Sequence, residues 1–280
     1  MERIYVEIGN ICNLKCSFCP STTREPRQMN TEEFRRVSAQ ARQHTKYVYL
    51  HVMGEPLLHP HLKEFLEILH GDGLHACITT NGTLLSRRGD VLLSCENLHK
   101  VSISLHAPEA NAGIPIEEYL QSCIFFARQA AERGIYVVFR LWNLDSEAGK
   151  GTNRENGRIR EVLAQEFSEE WKARRNGFRL ASRIFLEYDG IFTWPCDSEA
   201  KAKEQGTCHA MRDQIAVLAD GTVVPCCLDS EGGIPLGNVF EASLSEILET
   251  PRAAALREGF REHRLVEPLC QSCTYARRFH

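Results

Sequence analysis

Three cysteines stand close together near the start of the chain, at Cys12, Cys16 and Cys19. They form a Cys-x3-Cys-x2-Cys pattern with no fourth cysteine and no histidine beside it. A structural zinc site needs four protein ligands in a closed tetrahedron. A 4Fe–4S cluster can be held by three thiolates, which leaves one iron open to another ligand. The pattern therefore favours an iron–sulfur cluster with an open iron, and zinc or free thiols in a turn are the alternatives.

A second group of cysteines lies near the end of the chain, at Cys208, Cys226, Cys270 and Cys273. Gly221 divides the interval between the first two, which gives Cys-x12-Gly-x4-Cys, and a Cys-x2-Cys pair completes the group. Cys227 adjoins Cys226 and could replace it, and Cys196 is an alternative to Cys208. Four thiols fit either one fully coordinated 4Fe–4S cluster or a zinc ribbon, so this group by itself is compatible with both metals.

The composition is that of an ordinary globular protein, with 43% hydrophobic and 25% charged residues in 280. The net charge of −4 gives no general attraction to nucleic acid. No apolar run approaches the ~18 residues of a membrane span, and the start of the chain lacks the pattern of a secretory signal. We therefore expect a cytoplasmic protein, in which 12 cysteines are more typical of metal binding than of disulfides.

Strands and helices alternate over the first two thirds of the chain, which predicts an α/β fold with parallel strands joined by right-handed crossovers. The predicted strands are residues 4–8, 47–52, 75–80, 101–106, 135–141 and 184–188. The predicted helices are one that opens at Thr31, with Asn30 or Thr31 as its cap, and those at residues 62–69, 84–94, 117–133 and 159–171. Cys12, Cys16 and Cys19 then follow the first strand directly.

The pattern changes after the sixth strand. Residues 215–219, Asp220-Gly221 and residues 222–225 predict a β-hairpin, and short helices are expected at 244–248 and 252–260. We place the domain boundary near residue 190.

Residues 144–183 are rich in basic side chains, namely Arg158, Arg160, Lys172, Arg174, Arg175, Arg179 and Arg183. The simpler interpretation is a solvated helical face. The alternative is a substrate lid that recognises a phosphate or a carboxylate.

The first cysteine motif, with Phe18 directly before its last cysteine, resembles the cluster motif of the radical S-adenosylmethionine (radical SAM) superfamily. The resemblance implies that Cys12, Cys16 and Cys19 hold a 4Fe–4S cluster whose open iron binds SAM. It also implies a partial (β/α)6 barrel, similar to part of a TIM barrel, over residues 1–190. In this family reduction cleaves SAM to methionine and a 5′-deoxyadenosyl radical, which abstracts a substrate hydrogen.

Two loops resemble segments with which the family binds SAM. Met53-Gly54-Glu55-Pro56 is similar to the Gly-Gly-Glu-Pro segment, which binds the SAM amino group largely through its backbone, with Met53 in place of the first glycine. Asn81, in Thr79-Thr80-Asn81-Gly82, lies in a segment similar to the one after the family's third strand. An ordinary Asn-Gly turn is the alternative for Asn81.

Two strand residues, Ser104 and Arg140, match positions at which related enzymes bind the SAM carboxylate. Arginine suits a planar carboxylate because it is permanently charged and bidentate. His51 and His106, near the ends of their strands, could face the barrel mouth, and each is equally compatible with a structural histidine.

The second cysteine group resembles the auxiliary-cluster module that follows many radical SAM barrels, called SPASM with two clusters and Twitch with one. The resemblance implies one auxiliary 4Fe–4S cluster on Cys208, Cys226, Cys270 and Cys273, in a module over residues 191–280. The layout is most similar to that of the aminocyclitol dehydrogenase of butirosin biosynthesis. The molybdopterin-precursor cyclase also has one auxiliary cluster, but with three ligands and an open iron.

A cluster with four protein ligands has no open iron, so its simplest role is to accept an electron from the substrate radical. The resemblance therefore predicts an oxidoreductase that needs an electron donor such as flavodoxin or ferredoxin and is sensitive to oxygen. Because Cys12 follows a single strand, no leader-binding domain is expected ahead of the barrel, which favours a small-molecule substrate or a peptide presented by another protein. Peptide modification and a non-catalytic zinc or iron–sulfur protein are the rival functions.

Overall fold

One twisted sheet runs through the structure, a computed structural model that describes residues 1–108, 111, 113–144, 155–190 and 193–279. Its strands, in chain order, are β1 (Arg3–Val6), β2 (Tyr47–Tyr49), β3 (His75–Thr80), β4 (Leu98–Ser104), β5 (Tyr136–Leu144), β6 (Lys172–Arg174), β7 (Gly177–Ala181), β8 (Ile184–Gly190), β9 (Gln214–Val217), β10 (Thr222–Val224) and β11 (Gly237–Asn238). They lie in the order β11-β10-β9-β1-β2-β3-β4-β5-β8-β7-β6. The strands from β1 to β5, together with β8, pair in parallel, as the sequence predicts for a six-stranded barrel portion.

Helices cover one face of this sheet. The helices are α1 (Thr31–Ala41), α2 (Leu62–Gly71), α3 (Leu85–Leu93), α4 (Ile116–Glu132), α5 (Asn156–Glu166), α6 (Leu244–Leu248), α7 (Pro251–Arg261) and α8 (Pro268–Ser272). Helix α1 begins with a capping box, in which the Asn30 side chain accepts from the Glu33 amide and the Glu33 carboxylate accepts from the Asn30 amide. Of the two caps expected, Asn30 is therefore the one used. None of the helices in the described ranges is long and apolar enough to cross a bilayer.

The two faces of the sheet differ in polarity because side chains alternate along each strand. On β4, Val101 and Ile103 are fully buried in the core formed with the helices. Lys100 and Ser104 point the other way and line a cavity. In the helical layer, Phe34 of α1 stacks on Phe65 of α2 with ring centroids 4.1 Å apart. The apolar layer thus fixes the sheet, and the opposite, concave face is left to carry polar chemistry.

One part of the predicted fold is wrong. The helix expected over residues 159–171 ends at Glu166, and the basic stretch that follows it forms β6 and β7, an antiparallel hairpin on the edge of β8. The solvated helical face is therefore confined to Arg158 and Arg160. Short, polar edge strands are stabilised by backbone hydrogen bonds to a neighbouring strand. They need no apolar alternation of their own, so the sequence pattern does not reveal them. Residues 145–154, within the basic stretch 144–183, lie outside the described residues.

The C-terminal part joins the same sheet. The predicted hairpin is present as β9 and β10, which pair antiparallel. Strand β9 also pairs in parallel with β1, where Arg3 stands opposite Gln214 and Val6 opposite Val217. The barrel strands and the cysteine-rich tail therefore share one continuous ladder.

Candidate active site

The first cysteine loop leaves the end of β1 and returns to α1. Its three thiols are free, and Cys19 donates from its amide to the Cys16 carbonyl at 3.0 Å. Burial raises the pKa of all three thiols, that of Cys16 to about 11. Thiols that are this poorly solvated ionise readily only beside positive charge, which bound iron supplies. The donor set therefore fits a cluster held by three thiolates.

Two asparagine side chains reach the sulfurs of this loop. Asn111 donates from Nδ2 to the Cys16 Sγ at 3.2 Å, and Asn81 Nδ2 lies 3.9 Å from the Cys12 Sγ. Asn81 also donates to the Asn13 side chain at 2.9 Å. Asn81 is a predicted site residue, whereas Asn111 was not foreseen, because it lies in a loop 95 residues from Cys16 with no motif around it.

Gly54 packs directly against the backbone that leads into the cysteine loop. Its φ is +77°, and an added Cβ would collide with the carbonyl oxygen of Gly9 and lie 2.9 Å from that of Ile11. The next amide, of Glu55, donates to the same Ile11 oxygen at 2.9 Å. Only glycine satisfies both the conformation and the close approach.

The Glu55 carboxylate is buried and fully occupied by the protein itself. It accepts from the Leu57 amide at 3.0 Å, the Thr80 hydroxyl at 2.7 Å and the Asn81 amide at 2.8 Å. Burial raises its pKa and these hydrogen bonds oppose that effect. Pro56 is also buried and starts a short 3-10 helix, Pro56–Leu58. Glu55 therefore connects the loop after β2 to the end of β3, and of the predicted segment only the backbone is left to bind a ligand.

A cavity of about 580 Å³ occupies the concave face of the sheet. Phe18 and Cys19 of the first loop line one part of it, and Cys208 and Cys227 line another. Among the predicted residues Ser104 and Arg140 also face the cavity, as do His51 and His106. Gly54, Glu55, Pro56 and Asn81 lie outside its lining, around the base of the cysteine loop. The cavity thus extends from the first cysteine loop to the cysteine-rich tail.

Arg140 is the most conspicuous cation in the cavity. Its guanidinium stacks 4.2 Å from the Trp142 ring centroid and donates from Nη1 to the Thr79 hydroxyl at 3.3 Å. Its Nε is buried and has no hydrogen-bond partner in the described part of the chain. Burial lowers the pKa of Arg140, and the nearby Glu187 carboxylate opposes this. An orphaned guanidinium edge fits a bound carboxylate, as expected for the SAM carboxylate.

His51 stands beside Arg140 and is held neutral. Burial, with the charges of Arg140 and Lys100, lowers its pKa to about 3. Its Nε2 lies 3.2 Å from the Thr79 hydroxyl, and its Nδ1 is buried with no partner among the described residues. His106 contacts the Phe18 ring, with centroids 4.9 Å apart. Both histidines therefore face the cavity, as the first of their two interpretations required.

The C-terminal thiols form a second set. Burial raises the pKa of Cys226, and repulsion from Cys208 and Cys270 raises it further. Cys270 responds in the same way to Cys208 and Cys273. Each of the four predicted ligands therefore lies within electrostatic range of two others or more. In the described ranges, no three or more His, Cys, Asp or Glu side chains lie close enough together to hold one metal ion as they stand.

The two alternative ligands lie close to this set. Cys227 faces the cavity beside Tyr5, whose hydroxyl hydrogen-bonds to its thiol and lowers its pKa against the larger effect of burial. Cys196 is exposed, in a short 3-10 helix (Pro195–Asp197) that packs near α8. Cys226, which neighbours two members of the set, is the better placed of the adjacent pair.

Comparisons with known proteins decide the family. The model of the radical SAM superfamily matches residues 6–140, and the model of the SPASM iron–sulfur cluster-binding domain matches residues 208–274. The GTP 3′,8-cyclase of Synechococcus sp. (strain CC9902) is 35% identical over 270 residues, which cover 79% of this chain and 77% of that protein. The chain belongs to the radical SAM superfamily.

A radical SAM enzyme of this composition uses a SAM-binding 4Fe–4S cluster, an auxiliary cluster and SAM, as predicted. The GTP 3′,8-cyclase of Chlorobaculum tepidum is a further relative, 30% identical over 112 residues, or 38% of this chain. The chain spans only 33% of the length of that relative.

Solved radical SAM structures share the fold. BtrN in complex with AdoMet and 2-DOIA has a TM-score of 0.62 at 17% identity, covering 98% of this chain and 93% of that one. Streptococcus suis SuiB bound to the precursor peptide SuiA has a TM-score of 0.59 at 16% identity, covering 97% and 69%. The predicted partial barrel, open at both edges of its sheet, is confirmed.

Proposed function

We propose that this radical SAM enzyme is an oxidoreductase that completes a two-electron oxidation of a small molecule through its auxiliary cluster. The single observation that carries this proposal is the cavity that reaches both Cys19 and Cys208. A substrate in that cavity lies between the two cysteine sets, so it can lose a hydrogen atom towards one and an electron towards the other.

We assign Cys12, Cys16 and Cys19 to the SAM-binding cluster. When bound, that cluster and SAM supply the 5′-deoxyadenosyl radical that abstracts a substrate hydrogen. Arg140 and Ser104 would orient the SAM carboxylate, since both face the cavity and Arg140 has a free Nε. The backbone around Gly54 would receive the amino group. The aromatic rings that line the cavity, such as Phe18, exclude water from the reacting carbon.

We assign Cys208, Cys226, Cys270 and Cys273 to the auxiliary cluster. With four protein ligands it has no vacant iron, which suits electron transfer rather than substrate binding. For an alcohol substrate the balance is one hydrogen atom lost from carbon, one electron lost to the auxiliary cluster and one hydroxyl proton lost to water. An external donor such as flavodoxin or ferredoxin would provide the electron for SAM cleavage.

We divide the chain at about residue 190, into a radical SAM barrel over 1–190 and an auxiliary module over 191–280. The support is that all six parallel barrel strands lie before the boundary and the second cysteine set lies after it. The pairing of β9 with β1 makes the two units neighbours in one sheet.

Peptide modification is the second candidate, because SuiB, one of the similar structures, is bound to a precursor peptide. A wide substrate of that kind would have to enter a cavity of about 580 Å³. The volume lies within the usual range for small-molecule sites, and we therefore rank the small molecule first.

The test is anaerobic reconstitution followed by dithionite and SAM, with 5′-deoxyadenosine and bound iron as readouts. We expect the wild-type chain to hold about eight irons, four in each cluster, and to release 5′-deoxyadenosine. Cys19→Ala should abolish release, whereas Cys270→Ala should lose about four irons and keep slow release without substrate. Cys95→Ala, a half-buried cysteine outside both sets, is the matched control. Stoichiometric zinc without iron, or no release by iron-loaded protein, would contradict the proposal.

A further inference from the structure

A second pocket, of about 630 Å³, opens on the concave face beside the cavity described above. It lies near the amino-terminal ends of β4, β5 and β8, beside the β6–β7 hairpin. Lys100 lines both the pocket and the cavity. The pocket therefore adjoins the cavity at Lys100, and neither cysteine set explains it.

The pocket is strongly cationic. Its lining contains four permanently or normally charged cations, Lys100, Arg174, Arg179 and Arg183, against one carboxylate, Glu187. None of the three arginines makes a side-chain ion pair or hydrogen bond with another described residue. Unpaired charges of one sign in a concave site focus the electrostatic field and attract a counter-ion.

Aromatic rings hold two of these guanidinium groups in place. Arg174 lies over the Phe185 ring at 5.1 Å, and Arg183 lies over the Tyr136 ring at 4.7 Å from the centroid. A stacked guanidinium keeps its N–H edges available for a bidentate oxyanion and loses less conformational freedom on binding. The arrangement is thus partly preorganised for an anion.

The strand register sets the distance between this pocket and the SAM side of the cavity. Lys100 stands opposite Tyr136, and Ser104 stands opposite Arg140. Four residues along a strand span about 13 Å. The backbone positions of Lys100 and Arg140 are therefore separated by about that distance, while the Lys100 ammonium reaches towards the Tyr49 hydroxyl and lies within electrostatic range of Arg140.

We propose that this basic pocket binds a phosphoryl group of the substrate, and this assignment rests on the proposed function of the cavity beside it. Three forked guanidinium groups and an ammonium match the charge and oxygen count of a phosphate dianion better than those of a single carboxylate. The substrate is then an elongated phosphate ester, with its reacting carbon in the cavity and its phosphate over Phe185 and Tyr136.

The probe for this site is inorganic pyrophosphate, titrated calorimetrically into the reconstituted protein, with succinate as a dicarboxylate comparison. We expect the double variant Arg174→Ala/Arg183→Ala to bind pyrophosphate about tenfold more weakly or worse. Arg35→Ala/Arg36→Ala, which removes two exposed arginines of α1 and the same charge, should bind like the wild type.

A variant that binds pyrophosphate more tightly serves as a control for misfolding, because a misfolded protein would lose binding. Glu187→Gln removes the one carboxylate in the pocket, so it should tighten pyrophosphate binding. Release of 5′-deoxyadenosine without substrate should be unchanged in the two double variants, so failure of SAM chemistry and failure of the phosphate site are separate results. The proposal is overturned if the wild type does not bind pyrophosphate, if both double variants weaken it equally, or if succinate binds as tightly.

Discussion

The buried Glu7 carboxylate accepts two parallel hydrogen bonds from the Arg24 guanidinium, at 2.6 and 2.8 Å. Glu7 directly follows β1, and Arg24 lies on the far side of the first cysteine loop. The same carboxylate accepts from the Met53 amide at 3.2 Å and the Ala219 amide at 3.0 Å. One side chain thus fixes the cysteine loop, the turn before Gly54 and the C-terminal hairpin relative to each other.

Removing the partner of this carboxylate should be costly. Glu7 is fully buried and the Arg24 side chain is 16% exposed, so Arg24→Ala leaves a buried charge without its partner. We expect a loss of about 3–5 kcal/mol in the free energy of unfolding, measured by urea denaturation. Lys63→Ala, which removes an exposed pair with Glu67, should cost less than about 1 kcal/mol. Equal losses in the two variants would refute a special role for the Glu7–Arg24 pair.

Gly54 and Gly73 have similar φ angles, so alanine variants of the two can distinguish the cost of backbone strain from the cost of a steric clash. Gly54 has φ +77° and Gly73 has φ +69°, but only Gly54 has backbone within reach of an added Cβ. Gly73→Ala should cost about 1–2 kcal/mol from conformation alone and keep SAM cleavage. Gly54→Ala should cost more and lower SAM binding at least tenfold, with iron content retained. SAM binding by equilibrium dialysis provides the measurement, and normal binding by Gly54→Ala would contradict the close packing described above.

The amide of Asn111 should tune the first cluster. Its hydrogen bond to the Cys16 sulfur favours the more negatively charged, reduced state. If that bond is about 1 kcal/mol stronger in the reduced cluster than in the oxidised one, Asn111→Ala should lower the one-electron potential by about 40 mV. A redox titration followed by electron paramagnetic resonance measures the shift, with Asn176→Ala on the exposed β6–β7 turn as control. A potential that stays within error of the wild type, or rises, rules the interaction out.

Neutral His51 makes stability depend on pH. Because burial and the charges of Arg140 and Lys100 lower its pKa to about 3, the unfolded chain binds a proton there first as the pH falls. Its contribution is complete above about pH 6.5 and is lost progressively towards pH 3. We expect His51→Gln to flatten the fall of unfolding free energy between pH 7 and 4.5.

His263→Gln, which removes an exposed histidine outside the cavity lining, is the control for that experiment. Part of the slope should survive in His51→Gln, because burial lowers the pKa of His59 to about 4. Superimposable pH curves for the wild type and His51→Gln would show that His51 does not titrate as stated.

Adjacent cysteines allow the auxiliary ligand to be identified. Cys226→Ala should lose about four irons of the reconstituted protein, since its thiol neighbours Cys208 and Cys270. Cys227→Ala should keep them, because its thiol is directed at Tyr5 and the cavity. Iron quantification with absorbance near 400 nm on both variants decides the matter, and the reverse pattern would reassign the ligand.

Much of the architecture can be predicted from local sequence patterns. The strands of the barrel portion follow from apolar runs such as Val101 to Ile103, and the helix caps from short polar signals such as Asn30 with Glu33. The β6–β7 hairpin was missed because its stability comes from the edge of β8 rather than from its own residues. Arg174 and Arg183 therefore became part of a pocket instead of a helical surface.

The site shows the same division. Cysteine spacing located both thiol sets, and a family resemblance added Gly54, Ser104 and Arg140. Neither could find Glu7, Asn111 or Lys100, because their roles depend on partners far away in the chain and on which face of a strand they occupy. Ordinary residue types gain such roles only from the folded geometry.

The parallel ladder between β1 and β9 has a consequence for how this protein can be dissected. A fragment that stops at residue 190 would expose the unpaired backbone N–H and C=O groups of β1. An exposed strand edge of this kind promotes self-association. The tail would likewise lose the template on which its own hairpin aligns. Shortened versions and chimaeras should therefore retain or replace the β1–β9 pairing, because each part would otherwise expose an unpaired strand edge.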